Sequence, residues 1–60
     1  MTAPEFRAAL KSLNLSQRAL AARLGVERST VNRWAVGKAA VPQYVAYVLE
    51  LLSTAAASQP

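Results

Sequence analysis

A chain of 60 residues forms one small domain at most. It contains no Cys, His or Asp, which excludes disulfide frameworks, His- or Cys-ligated zinc and His-dependent nucleophile triads. Seven Lys and Arg against three Glu give a net charge of +4, which favours a polyanionic partner, either nucleic acid or an acidic membrane face. The three Glu show no paired arrangement for acid–base work. We therefore expect no enzyme, no metal site, no cofactor and no small-molecule ligand.

The sequence contains no membrane-spanning segment and no repeat. Its longest apolar run, from Tyr44 to Leu49, is far shorter than the roughly 18 residues of a span. The first residues show no secretory signal, so the sequence predicts a cytoplasmic location.

The first predicted helix covers residues 3 to 13. Thr2 and Glu5 have the spacing of a capping box, in which the Thr hydroxyl accepts from a backbone amide and the Glu reaches back. Phe6, Leu10 and Leu13 then recur at helical spacing and form one apolar face. Asn14 can adopt the left-handed conformation that ends a helix.

Two further helices are predicted, from Gln17 to Leu24 and from Arg28 to Val36. Ser16 is a good N-cap for the first of them. Gly25 and Gly37 follow the last helical residues, where a positive φ carries no steric cost for glycine. Glu27 stands in the N-cap position of the later helix and is a poor cap.

The fourth predicted helix runs from about Pro42 to Ser53. Proline suits the start of a helix, and Val45, Val48 or Leu49, and Leu52 form a stripe that can close the core. The prediction is an all-α bundle of four, at most five, short helices, with the domain at residues 1–54 and a flexible tail at 55–60.

Residues 17 to 36 have the pattern of a helix-turn-helix, in which two short helices meet at a tight turn containing glycine. A small residue, Ala21, is needed where the helices cross closely. The apolar residues expected beneath the turn are Leu20, Leu24, Val26, Val31 and Trp34. Trp34 could instead stack on a base, but its spacing from Val31 favours the core.

The segment from Leu15 to Val26, the run Ser29-Thr-Val-Asn-Arg-Trp and the pair Gly37-Lys38 together resemble the XRE/Cro-like helix-turn-helix regulators, which include phage repressors. The resemblance covers roughly residues 4 to 52. It implies a lambda repressor-like DNA-binding fold, a transcriptional regulator that is often a repressor, and a dimer on an inverted-repeat operator. Glu27 departs from the Ser, Thr or Asp that is common there.

The outer face of the third helix supplies the predicted base contacts. Arg pairs with guanine and Asn with adenine through two hydrogen bonds, and we expect base contacts from Arg28, Ser29, Asn32 and Arg33. Phosphate contacts are expected from Gln17, Arg18, Thr30 and Lys38, and for Gln17 and Lys38 this is what the resemblance implies. The alternatives are solvated surface charge for Arg28 and Arg33, a plain first-turn residue for Gln17 and a complement to a helix dipole for Lys38. Arg7, Lys11 and Arg23 are expected to be solubilising surface charges, which is also the alternative for Arg18.

A second stripe on the fourth helix lies beside the core stripe. Tyr44, Tyr47 and Leu51 recur at spacings of three and four, and one small domain cannot easily bury both stripes. We therefore predict a homodimer interface at Tyr44, Tyr47, Val48 and Leu51. The alternative is that the tyrosines line the core with their hydroxyls in water.

The predicted function is thus sequence-specific binding of double-stranded DNA, with repression as the expected outcome. The alternative is an antitoxin-like protein-interaction module that uses the exposed face of the fourth helix. Binding at a membrane surface is disfavoured, because residues 42 to 60 contain no Lys or Arg.

Overall fold

The computed structural model describes residues 1–57. It contains four helices, α1 (Ala3–Ser12), α2 (Gln17–Leu24), α3 (Arg28–Val36) and α4 (Gln43–Ala57). The described residues form no strand, so the predicted all-α fold of four helices is confirmed.

Helix α1 begins with the predicted capping box. The Thr2 backbone N–H donates to Glu5 Oε1 at 2.8 Å, and the Glu5 N–H donates to Thr2 Oγ1 at 3.2 Å. The bond from the Thr2 N–H, followed by the Thr2 side chain, lowers the pKa of the Glu5 carboxyl. The helix ends one residue earlier than predicted, and Asn14 has the expected positive φ of 54°.

The predicted bounds of α2 and α3 are confirmed. The Ser16 hydroxyl accepts from the Ala19 N–H at 3.0 Å and caps α2. Gly25 and Gly37 end the two helices with φ of 71° and 82°. A Cβ at Gly25 would meet no atom within 4 Å, so this position requires glycine for its backbone conformation and not for space.

Glu27 occupies the N-cap position of α3, as the sequence predicts. It makes no side-chain cap hydrogen bond; its carboxylate instead accepts from the Ser29 hydroxyl at 3.3 Å. Its backbone carbonyl accepts from the Thr30 N–H at 3.0 Å. The start of α3 is therefore fixed at Arg28 by the main chain.

Helix α4 starts one residue later and ends four residues later than predicted. The Pro42 carbonyl accepts from the Val45 N–H at 3.0 Å, so Pro42 precedes the first turn. The helix does not end at Ser53 because the three Ala that follow Thr54 are strong helix formers. It therefore takes in the first part of the predicted tail, and residues 58–60 lie outside the described residues.

The core brings together residues from all four helices. Helices α1 and α2 both pack on α3, and α1 also contacts α4. Of the residues predicted beneath the turn, Leu20, Val31 and Trp34 are buried, while Leu24 and Val26 are half-buried against them. Trp34 is therefore a core residue. In α4 the residues that close the core are Val45 and Leu49, while Val48 and Leu52 of the predicted stripe are half-buried.

Arg7 has a structural role that the sequence does not reveal. Its guanidinium Nη1 donates a hydrogen bond to the backbone carbonyl of Ala35, in the last turn of α3. Carbonyls at the end of a helix lack partners within it, and a cation there also complements the helix dipole. Arg7 thus joins α1 to α3 and is not merely a solubilising charge.

Candidate nucleic-acid interface

The angle between α2 and α3 is set by buried residues at their crossing. Leu20 and Ala21 of α2 are both buried, as is Val31 of α3. The small side chain of Ala21 allows the two helices to approach each other, and Gly25 begins the turn that connects them. Helices α2 and α3 thus form a helix-turn-helix, and α3 cannot rotate about its axis without disrupting the core.

One face of α3 is buried and the opposite face is exposed. Val31, Trp34 and Ala35 point into the core. The exposed residues include the four for which base contacts are predicted, Arg28, Ser29, Asn32 and Arg33. Helical periodicity places these four on the side away from the core.

The N-terminal ends of α2 and α3 flank an open groove of about 590 Å³. Five of the eight predicted DNA-contacting residues line it, namely Gln17, Arg18, Arg28, Ser29 and Asn32. Two arginines and the positive ends of two helix dipoles make this groove favourable for an anion.

A hydrogen bond crosses the groove between the two helices. The Asn32 amide nitrogen Nδ2 donates to Gln17 Oε1 at 3.3 Å. Gln17 is the first residue of α2, and Asn32 lies on the second turn of α3. Gln17, a predicted phosphate contact, and Asn32, a predicted base contact, are therefore joined by a direct hydrogen bond.

The other three predicted contact residues do not line the groove. Thr30 is half-buried, and its hydroxyl accepts a long hydrogen bond of 3.5 Å from Arg33 Nη2. Lys38 follows Gly37, beyond the end of α3, and is exposed. Thr30 and Arg33 thus lie on α3, and Lys38 lies just beyond its C-terminal end.

Val36 is an exposed residue of α3 that the sequence analysis does not single out. Its side chain is 53% exposed, and it lies one turn after Asn32 on the outward face. The signal that could have identified it is this spacing of four from Asn32.

The second stripe of α4 is exposed. Tyr44, Tyr47 and Leu51 are 52%, 56% and 69% exposed, and Val48 is half-buried beside them. The Gln43 amide nitrogen donates to the Tyr47 hydroxyl at 3.0 Å. The alternative in which the tyrosines line the core is therefore wrong.

Residues 1–57 contain neither a candidate metal site nor a candidate membrane-spanning helix. No group of three or more acidic side chains within them could hold a metal ion. None of the four helices is long and apolar enough to cross a membrane.

The chain is similar to a known protein family. The family model HTH_3, described as Helix-turn-helix, matches residues 6–51, which is more than half of the chain and runs from α1 into α4. No curated protein and no solved structure matches the chain. The matched segment contains the groove and every predicted DNA-contacting residue.

Proposed function

The chain belongs to the XRE/lambda repressor-type helix-turn-helix family HTH_3, and from this premise we propose that it binds duplex DNA sequence-specifically and regulates transcription. The observation that carries the proposal is the groove at the N-terminal ends of α2 and α3, with its two arginines and three polar side chains. A net charge of +4 supports a polyanionic partner.

In the proposed complex, α3 lies in the major groove of the DNA. A recognition helix presents its N-terminal residues to base edges, and its other polar residues contact the backbone. We assign base contacts to Arg28, Ser29, Asn32 and Arg33, which are all exposed. We assign phosphate contacts to Gln17, Arg18, Thr30 and Lys38.

We propose further that two copies associate through the α4 stripe of Tyr44, Tyr47, Val48 and Leu51. All seven Lys and Arg precede residue 39, and the one charged residue of α4 is Glu50. Two cationic copies therefore approach with the least mutual repulsion along this helix. A two-fold dimer places its recognition helices about 34 Å apart, one turn of DNA, and reads an inverted repeat.

Repression is the proposed outcome, because a dimer seated on a promoter excludes the transcription machinery. We also propose that the protein is located in the cytoplasm, as the sequence predicts.

The test is selection from random duplex DNA at fixed, near-physiological salt. Enrichment of an inverted repeat would support specific recognition by a dimer. A single asymmetric motif would keep DNA binding and contradict the dimer. No enrichment by folded protein would contradict the proposed function.

The exposed α4 stripe also favours a second candidate, a protein-interaction module in which this stripe binds a different protein. The outer face of α3 distinguishes the two. A helix that binds protein presents apolar anchors, whereas this face carries two arginines and an amide. Failure of the DNA selection, together with a monomeric chain, would favour the second candidate.

A further inference from the structure

The Glu27–Ser29 hydrogen bond decides which hydrogen-bonding groups the start of α3 offers to DNA. A serine hydroxyl has one O–H donor and lone pairs that accept. In Ser29 the donor is engaged, because the hydroxyl donates to Glu27 Oε2 at 3.3 Å. Glu27 itself adds only acceptors, since a carboxylate has no donor. The two side chains therefore present acceptors alone, whereas a serine without this partner can also donate.

Both side chains are placed where DNA can reach them. Glu27 and Ser29 are exposed, and Ser29 lines the groove between the N-terminal ends of α2 and α3. The main chain of Glu27 is fixed, because its carbonyl accepts from the Thr30 N–H at 3.0 Å. Its side chain makes no cap hydrogen bond. The carboxylate is thus not needed to begin the helix and is available for a contact with DNA.

Base edges in the major groove differ in the donors that they offer to such a pair. Guanine presents the acceptors N7 and O6, and thymine presents the acceptor O4. Adenine has a donor, the N6 amino group, beside the acceptor N7, whereas cytosine has the N4 amino donor and no acceptor. Two adjacent acceptors are therefore matched best by cytosine, because at adenine the second oxygen would face N7.

We propose that Glu27 keeps Ser29 an acceptor, so that the two side chains together read the N4 amino group of a cytosine and Glu27 is a specificity-determining residue. This inference rests on the proposed function. The carboxylate also acts against the wrong base. A charge taken out of water without a partner is costly, and the acceptors of guanine and thymine give it none. Exclusion of a competitor by an unpaired charge is a general route to specificity.

The arginines of the groove allow a carboxylate on this surface. Arg28 stands between Glu27 and Ser29 in the sequence, and it lines the same groove as Arg18. Two positive charges against one negative charge keep the surface attractive to phosphates. Glu27 is therefore expected to change the ranking of DNA sequences more than the affinity for DNA in general.

The experiment first uses Ser29→Ala to locate the contacted base pair. In the operator obtained by selection, this is the pair at which Ser29→Ala alters the preference most. Affinity for four duplexes that differ only at this pair is then measured for the wild type, Glu27→Gln and Glu27→Ala. Glu50→Gln is the matched control, because it removes the same charge from an exposed position on α4, outside the groove. Thermal unfolding confirms that each variant is folded.

The wild type should prefer a G·C pair in one orientation over the reverse orientation by about tenfold. In Glu27→Ala the preference should disappear, because the Ser29 hydroxyl regains a donor and guanine accepts it. Glu27→Gln should lose the preference as well, since its amide supplies donors to guanine. Glu50→Gln should keep it.

A modified base distinguishes the two members of the preferred pair. 7-Deazaguanine lacks the N7 acceptor of guanine and still pairs with cytosine. Because the proposed contact is with the cytosine amino group, this replacement should change the affinity of the wild type no more than that of Ser29→Ala.

Three results would overturn the inference while leaving DNA binding intact. One is an equal gain on all four duplexes for Glu27→Gln and Glu27→Ala, which would make Glu27 a general repulsive charge. Another is a loss on 7-deazaguanine that Ser29→Ala abolishes, since Ser29 would then donate to guanine. The third is a wild-type preference for an A·T pair in either orientation. A wild type that binds no DNA, even at low salt, would overturn the proposed function and this inference with it.

Discussion

The rings of Phe6 and Trp34 meet edge to face, with their centroids 6.0 Å apart and their planes at 89°. Phe6 is fully buried and Trp34 nearly so. The contact joins α1 to α3 from within the core, on the side of α3 opposite to Asn32. It fixes how α3 is presented to solvent, and it keeps the indole in the core.

Trp34→Ala should therefore abolish DNA binding by unfolding the domain. Truncation of a buried aromatic residue costs about 3–5 kcal/mol, and a domain of this size has roughly 3–9 kcal/mol of stability. Trp34→Phe keeps an aromatic ring and should remain folded and bind DNA. Circular dichroism and a DNA titration check both variants. A Trp34→Phe protein with wild-type stability but no DNA binding would show that the indole contacts DNA.

Gly25→Ala should destabilise the domain through its backbone alone. The residue has φ of 71°, and an L-residue in this conformation costs about 1–2 kcal/mol. Nothing lies within 4 Å of the added Cβ, so no steric clash contributes. Gly25→Asn is the matched control and should cost less, because asparagine tolerates this conformation, as Asn14 shows at φ of 54°. Urea unfolding measures both, and equal losses would contradict the argument.

The capping box predicts a pH dependence of stability. The hydrogen bonds from Thr2 lower the pKa of Glu5 in the folded chain. The contribution of Glu5 is therefore fully present above its unfolded pKa, near 4.3, and is lost as the pH falls through the lower folded pKa. Glu5→Gln removes this titration but leaves Glu27 and Glu50. Melting temperatures from neutral to acidic pH should fall more for the wild type than for Glu5→Gln, and parallel curves would refute the assignment.

Arg28 and Arg18 should respond differently to truncation although both line the groove. Arg28→Ala should cost about 1–3 kcal/mol and relax one base position. Arg18→Ala should weaken binding on every sequence and reduce the salt slope by about 0.9. Titrations at several salt concentrations, on the selected operator and on duplexes with single changes, separate the two effects. If Arg28→Ala weakened binding equally on all sequences, its role would be a phosphate contact.

Leu51→Lys should convert the proposed dimer into a folded monomer. The side chain is 69% exposed, so its replacement costs the single chain little stability. A buried lysine would disfavour an interface between two copies. Ser53→Lys adds the same charge to α4 outside the stripe and should leave the association unchanged. Equilibrium sedimentation at micromolar concentrations measures both, and a monomeric wild type would contradict the dimer.

The parts of the fold that depend on local chemistry are predictable from the sequence. Ser16, Gly25 and Gly37 place the ends of α2 and α3 correctly, because capping and positive φ are properties of single residues. The end of α4 is not predictable in this way, since alanines at 55 to 57 offer no stop signal. The identity of the exposed residues on α3 likewise follows from its periodicity.

Contacts between distant residues account for what the sequence does not show. Arg7 and Ala35 are 28 residues apart, and Gln17 and Asn32 are 15 apart. Periodicity assigns each of these residues to a face of its own helix but not to a partner on another. Which two faces meet is decided by the packing of the whole core.

Helix α3 is nine residues long, and a helix of that length does not persist alone in water. Its conformation is maintained from the inside, by Val31, Trp34 and Ala35, while its outward side chains contribute little to folding. Residues that hold the helix and residues that a ligand would meet are thus separate sets. The outward set, which includes Arg28, Ser29, Asn32 and Arg33, can change during evolution at small cost to stability, so that one scaffold can present many different surfaces.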